Sequence, residues 1–355
     1  MDRVLGASRQ FTARPAVRSR TPDRDGAVRP ARLACLVAVL AGLGAFDAVL
    51  PGAALAQADY PARAVRLVVP TPPGSTLDTI PRIVADKLSQ RWNEPVVIEN
   101  KPGVAQNLGA EYVAKAEPDG YTLLATPQGP LTISQYFFPK LGFDPTAFVP
   151  ISVFAQQPLL LVANPRFAAA TLPALIAYGK ANPGKINFAS PGIGSSPHLT
   201  GEMLQRDAGI RFTHVPYKGM TPLVTDLLAG RVDIAFNNLS NTVELIRDGK
   251  LKPLAVASEK RIPEFPDVPA VAELYPGFYA TSWFALVAPP RTSAAIAAKI
   301  GRDLAEVLRQ PDVAARFKQL GVTPVDMSRS QTAAFLKEES ERWRQVITAA
   351  GIKAL

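Results

Sequence analysis

The sequence predicts an α/β protein of two lobes, the second inserted into the first. Strand-like apolar runs alternate with helix-like stretches, and a strand, glycine-bearing loop and helix recur twice between residues 65 and 126. A long apolar run, FVPISVFAQQPLLLVANP (148–165), fits strands passing between two lobes better than one short core strand. Two later runs, LKPLAVAS (251–258) and SWFALVAPP (282–290), read as returns toward the first lobe.

Taken in order, VRLVVP (65–70) is a buried strand, TPPGSTLD (71–78) a loop, and TIPRIVADKLSQRW a helix whose Pro81 lies near enough to its start to be tolerated. PVVIEN (95–100) is a second strand, followed by the loop KPGVAQN (101–107), with Asn107 as a cap, and the helix LGAEYVAKA. YTLLAT (121–126) is a third strand. After the long run come the helix LPALIAYGKAN, the strand INFAS, the loop SPGIGSSPHL (190–199), the strand RFTHVPY (211–217), the helix TPLVTDLLAG and the strand VDIAFNN (232–238). The C-terminal stretches AAIAAKIGRDLAEVLRQ and TAAFLKEESERWRQVITAAG repeat apolar residues every three or four positions, the helical period.

A chain of 355 residues with 47 % hydrophobic and 19 % charged side chains is large enough for two such lobes. Residues 1–58 differ from the rest. Eight arginines against four aspartates precede and flank the apolar run LACLVAVLAGLGAF, and small residues stand at Ala56 and Ala58. That pattern predicts a secretory signal for the general route, cleaved near Ala58, and hence a secreted protein. Without those residues the formal charge falls from +9 to +5. No basic run interleaves with aromatics, so nucleic acid is not an expected partner, while a mild positive bias suits small anions. The single cysteine, Cys35, lies in the leader, which removes disulfides, zinc–thiolate sites and cysteine nucleophiles from the mature chain.

The loop SPGIGSSPHL poses the functional question: nucleophile and base, metal site, or anion loop. In α/β lobes ligands collect where strands feed helix N-termini. Gly194 lets the backbone come close, Ser195 or Ser196 can cap, and free N–H groups with the helix dipole favour a carboxylate or phosphate. A nucleophile elbow would need a second glycine after the serines, and His198 is poorly placed to deprotonate them; His214 has no partner visible in sequence. The two histidines stand sixteen residues apart with no ligand-spaced companion, so no metal is expected. No Walker loop exists and GIGSSP lacks the third glycine of a dinucleotide fingerprint, so no cofactor is expected either. TPPGSTLD has the same grammar, with Gly74, Ser75, Thr76 and Asp78; plain capping is the simpler alternative for each loop. VPYKG offers Tyr217, Lys218 and Gly219. Gln128 in TPQG and Asn237 at the end of VDIAFNN add amides, and Tyr217, Phe236 and Trp283 are candidate apolar walls.

The strings YPARAVRLVVPTPPGSTLD, PVVIENKPG, GAEYVAKAEPDGYTLL, GIGSSPHL, VPYKG, LLAGRVDIAF and GKLKPLAVASEKR resemble, in order and spacing, the Bug or TctC-like periplasmic receptors of tripartite tricarboxylate transporters. The resemblance covers residues 59–355. It implies a two-lobed periplasmic binding protein fold (type II-like, Venus flytrap) with a hinge between lobes: residues 59–160 and 283–355 as lobe 1, 161–282 as lobe 2. It further implies a monomer that captures a small organic acid, helped by bridging water, and passes it to integral membrane transporter subunits. Residue by residue, it points to Gly74, Ser75, Thr76 and Asp78 in one lobe and to Ser195, Ser196 and His198 in the other. Tyr217, Lys218, Gly219 and the end of VDIAF are further matches. Two departures stand out: Ser75 where the family usually has a second glycine, and Val104 and Gln106 where it usually has smaller residues. Two other readings remain open here: a sensory partner in place of a transporter, and a secreted serine hydrolase.

Overall fold

In the computed structural model, residues 60–352 are described. The signal segment, its cleavage near Ala58 and Cys35 lie outside the described residues. The elements in chain order are β1 (Val65–Val69), α1 (Thr76–Trp92), β2 (Val96–Asn100), α2 (Asn107–Ala114), β3 (Thr122–Pro127), β4 (Val149–Ala163), α3 (Leu172–Ala181), β5 (Ile186–Ser190), α4 (Ser196–Ala208), β6 (Phe212–Pro216), α5 (Met220–Ala229), β7 (Ile234–Asn238), α6 (Leu239–Arg247), β8 (Lys252–Val256), β9 (Thr281–Ala288), α7 (Ala294–Leu308), α8 (Pro311–Gln319), β10 (Thr323–Pro324) and α9 (Arg329–Ala349). The fold is mixed α/β and two-lobed.

The strands form one path, β2-β1-β3-β9-β4-β7-β5-β6, with β8 and β10 also pairing with β4. On one side β2, β1 and β3 run parallel, and β9 returns antiparallel between β3 and β4. On the other side β6, β5 and β7 run parallel, and β7 meets β4 antiparallel. β4 belongs to both: Val149–Pro158 pairs with β9, and Leu159–Ala163 with β7 and β8. The long apolar run is therefore one strand shared by two lobes. Its buried positions face protein on both sides, which is why it reads as continuous Val, Ile and Leu. The expectation that 251–258 returns to the first lobe is corrected: β8 pairs with the second-lobe segment of β4, and β9 alone makes the return. The helices α6 and α8 have no counterpart among the sequence expectations.

Separate apolar clusters fill the lobes. In the first, Leu67, Ile80, Leu123, Phe284, Ile300 and Phe317 lie between β1, β3, β9, α1, α7 and α8. In the second, Leu161, Phe188, Leu199, Phe236 and Phe278 lie between β4, β5, β7 and α4. Each fully buried side chain of this size contributes about 1.5–3 kcal/mol. α9 belongs to neither cluster alone. Phe335 and Leu336 pack on the first lobe, while Trp343, Val346 and Ile347 join the second lobe's core. Among the described residues no helix is long and apolar enough to cross a membrane.

Candidate functional site

Two loops at the C-terminal ends of parallel strands, one in each lobe, share their backbone. After β1, Gly74 is left-handed at φ +76° and Ser75 is extended at φ −71°, ψ 156°, opening α1. After β5, Gly194 takes φ +77° and Ser195 φ −72°, ψ 154°, opening α4. Both glycines are in the region that side chains avoid, which explains why glycine stands at both. In each loop the glycine N–H is turned onto the side chain four residues on. Gly74 N–H donates to Asp78 Oδ2 at 2.8 Å, and Gly194 N–H to His198 Nδ1 at 3.2 Å.

The first loop is held by charge. Asp78 is buried, and its Oδ2 also accepts from Arg82 Nε at 2.7 Å while Oδ1 accepts from Asn100 Nδ2 at 2.8 Å. Burial by itself would raise the Asp78 pKa, but the bonds from Arg82, Asn100 and Gly74 outweigh it and hold the carboxyl below its ordinary value. Ser75 Oγ donates to Pro72 O at 2.9 Å and does not cap α1. Thr76 is the first residue of that helix.

The second loop is held without charge. Ser195 Oγ accepts from His198 N–H at 3.4 Å and donates to Gly192 O at 2.7 Å, so Ser195 caps α4. Pro197 has no N–H, which leaves the Ser196 N–H as the first-turn donor with no carbonyl inside the helix to receive it. His198 stacks on His214, ring centroids 4.1 Å apart at 25°. Burial, with His214 beside it, lowers the His198 pKa to about 3, and burial lowers that of His214 to about 4. Both rings are neutral at pH 7. Since His198 Nδ1 accepts, its proton is on Nε2, 3.6 Å from Glu202 Oε1.

His214 Nε2 lies 2.7 Å from the Oγ of Ser190, a fully buried residue, while Ser195 Oγ is committed to its cap.

The remaining predicted residues spread further. Tyr217 gives its hydroxyl to Asp226 Oδ2 at 2.8 Å, Lys218 is exposed, and Gly219, at φ +110°, opens α5. Phe236 and Trp283 are fully buried in the cores, Trp283 donating to Glu339 at 2.9 Å. Gln128 is buried after β3; its Oε1 accepts from Trp283 N–H at 3.2 Å and its Nε2 has no partner. Asn237 is buried at the end of β7, with Oδ1 bonded to Asn241 and Nδ2 without a partner. Gln157 in β4, absent from the sequence expectations, also has a free buried Nε2. Asn107 is not the expected cap. It is the first residue of α2, preceded by left-handed Val104, Ala105 and Gln106, and neither atom of its buried amide is bonded.

Phe137, from the segment after β3, is packed in the second lobe's core 3.2 Å from where a Gly194 side chain would begin. Among the described residues no backbone hydrogen bond joins the 74–78 group to the 194–198 group. Two surface depressions, one along α9 at Lys337 and Glu341 and one at Arg63 and Val97, contain none of the predicted site residues.

Residues 80–352 match the tripartite tricarboxylate transporter family receptor. The chain is 39 % identical to protein BugT of Bordetella pertussis over 319 residues, 89 % of this chain and 98 % of the relative. An R. palustris protein solved with adipate superimposes at TM-score 0.79 and 33 % identity, covering 84 % of this chain and all of that one. MatC from Rhodopseudomonas palustris, solved with bound malate, gives TM-score 0.74 at 32 % identity, covering 81 % and 100 %. With a family match over residues 80–352 and 39 % identity to BugT across nearly the whole relative, the chain belongs to the Bug/TctC family of tripartite tricarboxylate transporter receptors.

Proposed function

We propose that the protein is a non-catalytic periplasmic receptor that captures a small carboxylated compound between its lobes. It then delivers that compound to the membrane subunits of a tripartite transporter. The observation that carries this reading is the matched pair of loops, each placing a left-handed glycine and an extended serine at the start of a long helix. Such helix starts offer unpaired N–H groups and the positive end of the dipole to an anion. The structures solved with adipate and malate support a carboxylate as the ligand. The working division is residues 59–160 with 283–355, and 161–282, around a hinge whose closure buries the ligand. Gly74, Ser75, Thr76, Gln128, Gly194, Ser195, Ser196 and Asn237 contact the acid directly or through water, with Tyr217, Lys218 and Gly219 at the rim. Asp78 and His198 fix the loops. The protein acts as a monomer and reaches the periplasm by its N-terminal signal.

Isothermal titration of purified protein against di- and tricarboxylates, aromatic acids and acidic amino acids tests this. The expected result is saturable binding of at least one acid, recovered chemically unchanged. Binding of a neutral compound with no response to any carboxylate would overturn it.

A further inference from the structure

Three buried polar side chains with unpartnered atoms stand at the ends of the first lobe's parallel strands. Thr71 follows β1, Asn107 starts α2 after β2, and Gln128 follows β3; all are at most 4 % exposed. Thr71 Oγ1, both amide atoms of Asn107 and Gln128 Nε2 have no hydrogen-bond partner. Contacts draw these positions together. Gly109, two residues after Asn107, is so close to Pro70 that an added Cβ would lie 2.9 Å from the proline's own. Gln106 Oε1 is 3.3 Å from where a Gly129 side chain would begin. Asn100 Nδ2 donates to Thr71 O at 2.9 Å. Leaving one such buried group unpaired costs about 1–3 kcal/mol, so a cluster of them marks a place that something polar fills.

The chemistry of the cluster selects what fills it. Gln128 Nε2 only donates, whereas the Thr71 hydroxyl and the Asn107 amide both donate and accept. A carboxylate accepts only and would leave Asn107 Oδ1 without a donor. The cations nearby are already committed: Arg82 to Asp78 and Lys101 to Glu99. Asn100 links the cluster to the Asp78 carboxylate, which disfavours a second anion there. We infer that Thr71, Asn107 and Gln128 form a subsite for an uncharged group of the bound acid that both donates and accepts hydrogen bonds, a hydroxyl or a carboxamide. The inference rests on the receptor reading above and deepens it: the ligand is a hydroxy acid or acid amide, with its carboxylate elsewhere in the cleft.

Two matched series separate the possibilities in isothermal titration: butyrate, 4-hydroxybutyrate, succinamate and succinate, and hexanoate, 6-hydroxyhexanoate, adipamate and adipate. The hydroxyl- or amide-terminated acid is expected to bind about tenfold or more tightly than both its methyl and its carboxylate counterparts in at least one series. In Asn107→Leu that advantage should fall below about twofold. Thr71→Val provides the same comparison if Asn107→Leu does not fold by circular dichroism. Tighter binding of the dicarboxylate or the methyl acid in both series overturns the inference and leaves the receptor reading standing. An advantage that survives both substitutions also overturns it, since ordered water alone would then fill the cluster. If no acid of either series and none of the wider panel binds, the receptor reading falls with it.

Discussion

The loops at 71–78 and 190–198 solve one backbone problem with different chemistry. Gly74 and Gly194 differ by a single degree in φ, and Ser75 and Ser195 are equally close. In the first lobe the glycine N–H is received by a carboxylate at the third helical position; in the second a neutral imidazole receives it at the same position. Asp78 places a negative charge on the positive end of α1, an interaction of about 0.3–1 kcal/mol that stabilises the helix and weakens its pull on an incoming anion. His198 does the same geometric work and leaves the dipole of α4 uncompensated. The start of α4 is therefore the stronger anion-attracting helix end of the two, whereas that of α1 has its charge compensated by Asp78.

Breaking the charged loop should have the largest effect. Asp78→Ala removes the buried carboxylate that receives Gly74 N–H, Arg82 and Asn100, and is expected to cost about 1–3 kcal/mol in urea unfolding. The neutral loop instead gives a pH signature. An unfolded imidazole takes up a proton near pH 6.5, while the folded rings refuse it until about 4 for His214 and about 3 for His198. The unfolded state thus binds more protons through that window, and stability falls as the pH drops from 6.5 toward 3. His198→Asn keeps an acceptor for Gly194 N–H and should flatten the decline of Tm between pH 6.5 and 4. An unchanged slope would show that the stacked pair is not its source.

Two smaller effects sharpen the comparison. Gly74→Ala and Gly194→Ala each force a side chain into left-handed backbone at about 1–2 kcal/mol. Gly194→Ala should cost more, because Phe137 is 3.2 Å from the new Cβ whereas nothing lies within 4 Å at Gly74. Asp78→Asn should raise acid affinity about three- to tenfold by removing the compensating charge, while His198→Asn leaves it unchanged; titration of both variants with one acid measures this.

Much of this was legible in the sequence because it is local. A strand, a Pro-Gly turn, a hydroxyl and a helix follow one another in the chain, so both loops and their serines could be named in advance. What depended on distant pairing could not. His198 and His214 meet because β5 and β6 pair in parallel, setting His214 beside Phe188, and because α4 packs on that same Phe188. No spacing rule carries that information. Asn107 was misread for another reason. Val104, Ala105 and Gln106 all adopt positive φ, which residue preferences argue against, and that turn moves Asn107 from the cap into the helix. β8 was misassigned because an apolar run states that it is buried without stating which neighbour buries it.

The central claim is that the acid's carboxylate is held by the start of α4 and not by a cationic side chain. A crystal structure of the protein with the tightest-binding acid of the titration panel tests it most directly. The account predicts a carboxylate oxygen within about 2.7–3.2 Å of Ser196 N or of a water bound to it, with the far end of the ligand toward Thr71, Asn107 and Gln128. A carboxylate paired with Lys218, or bound away from both glycine loops, would contradict it.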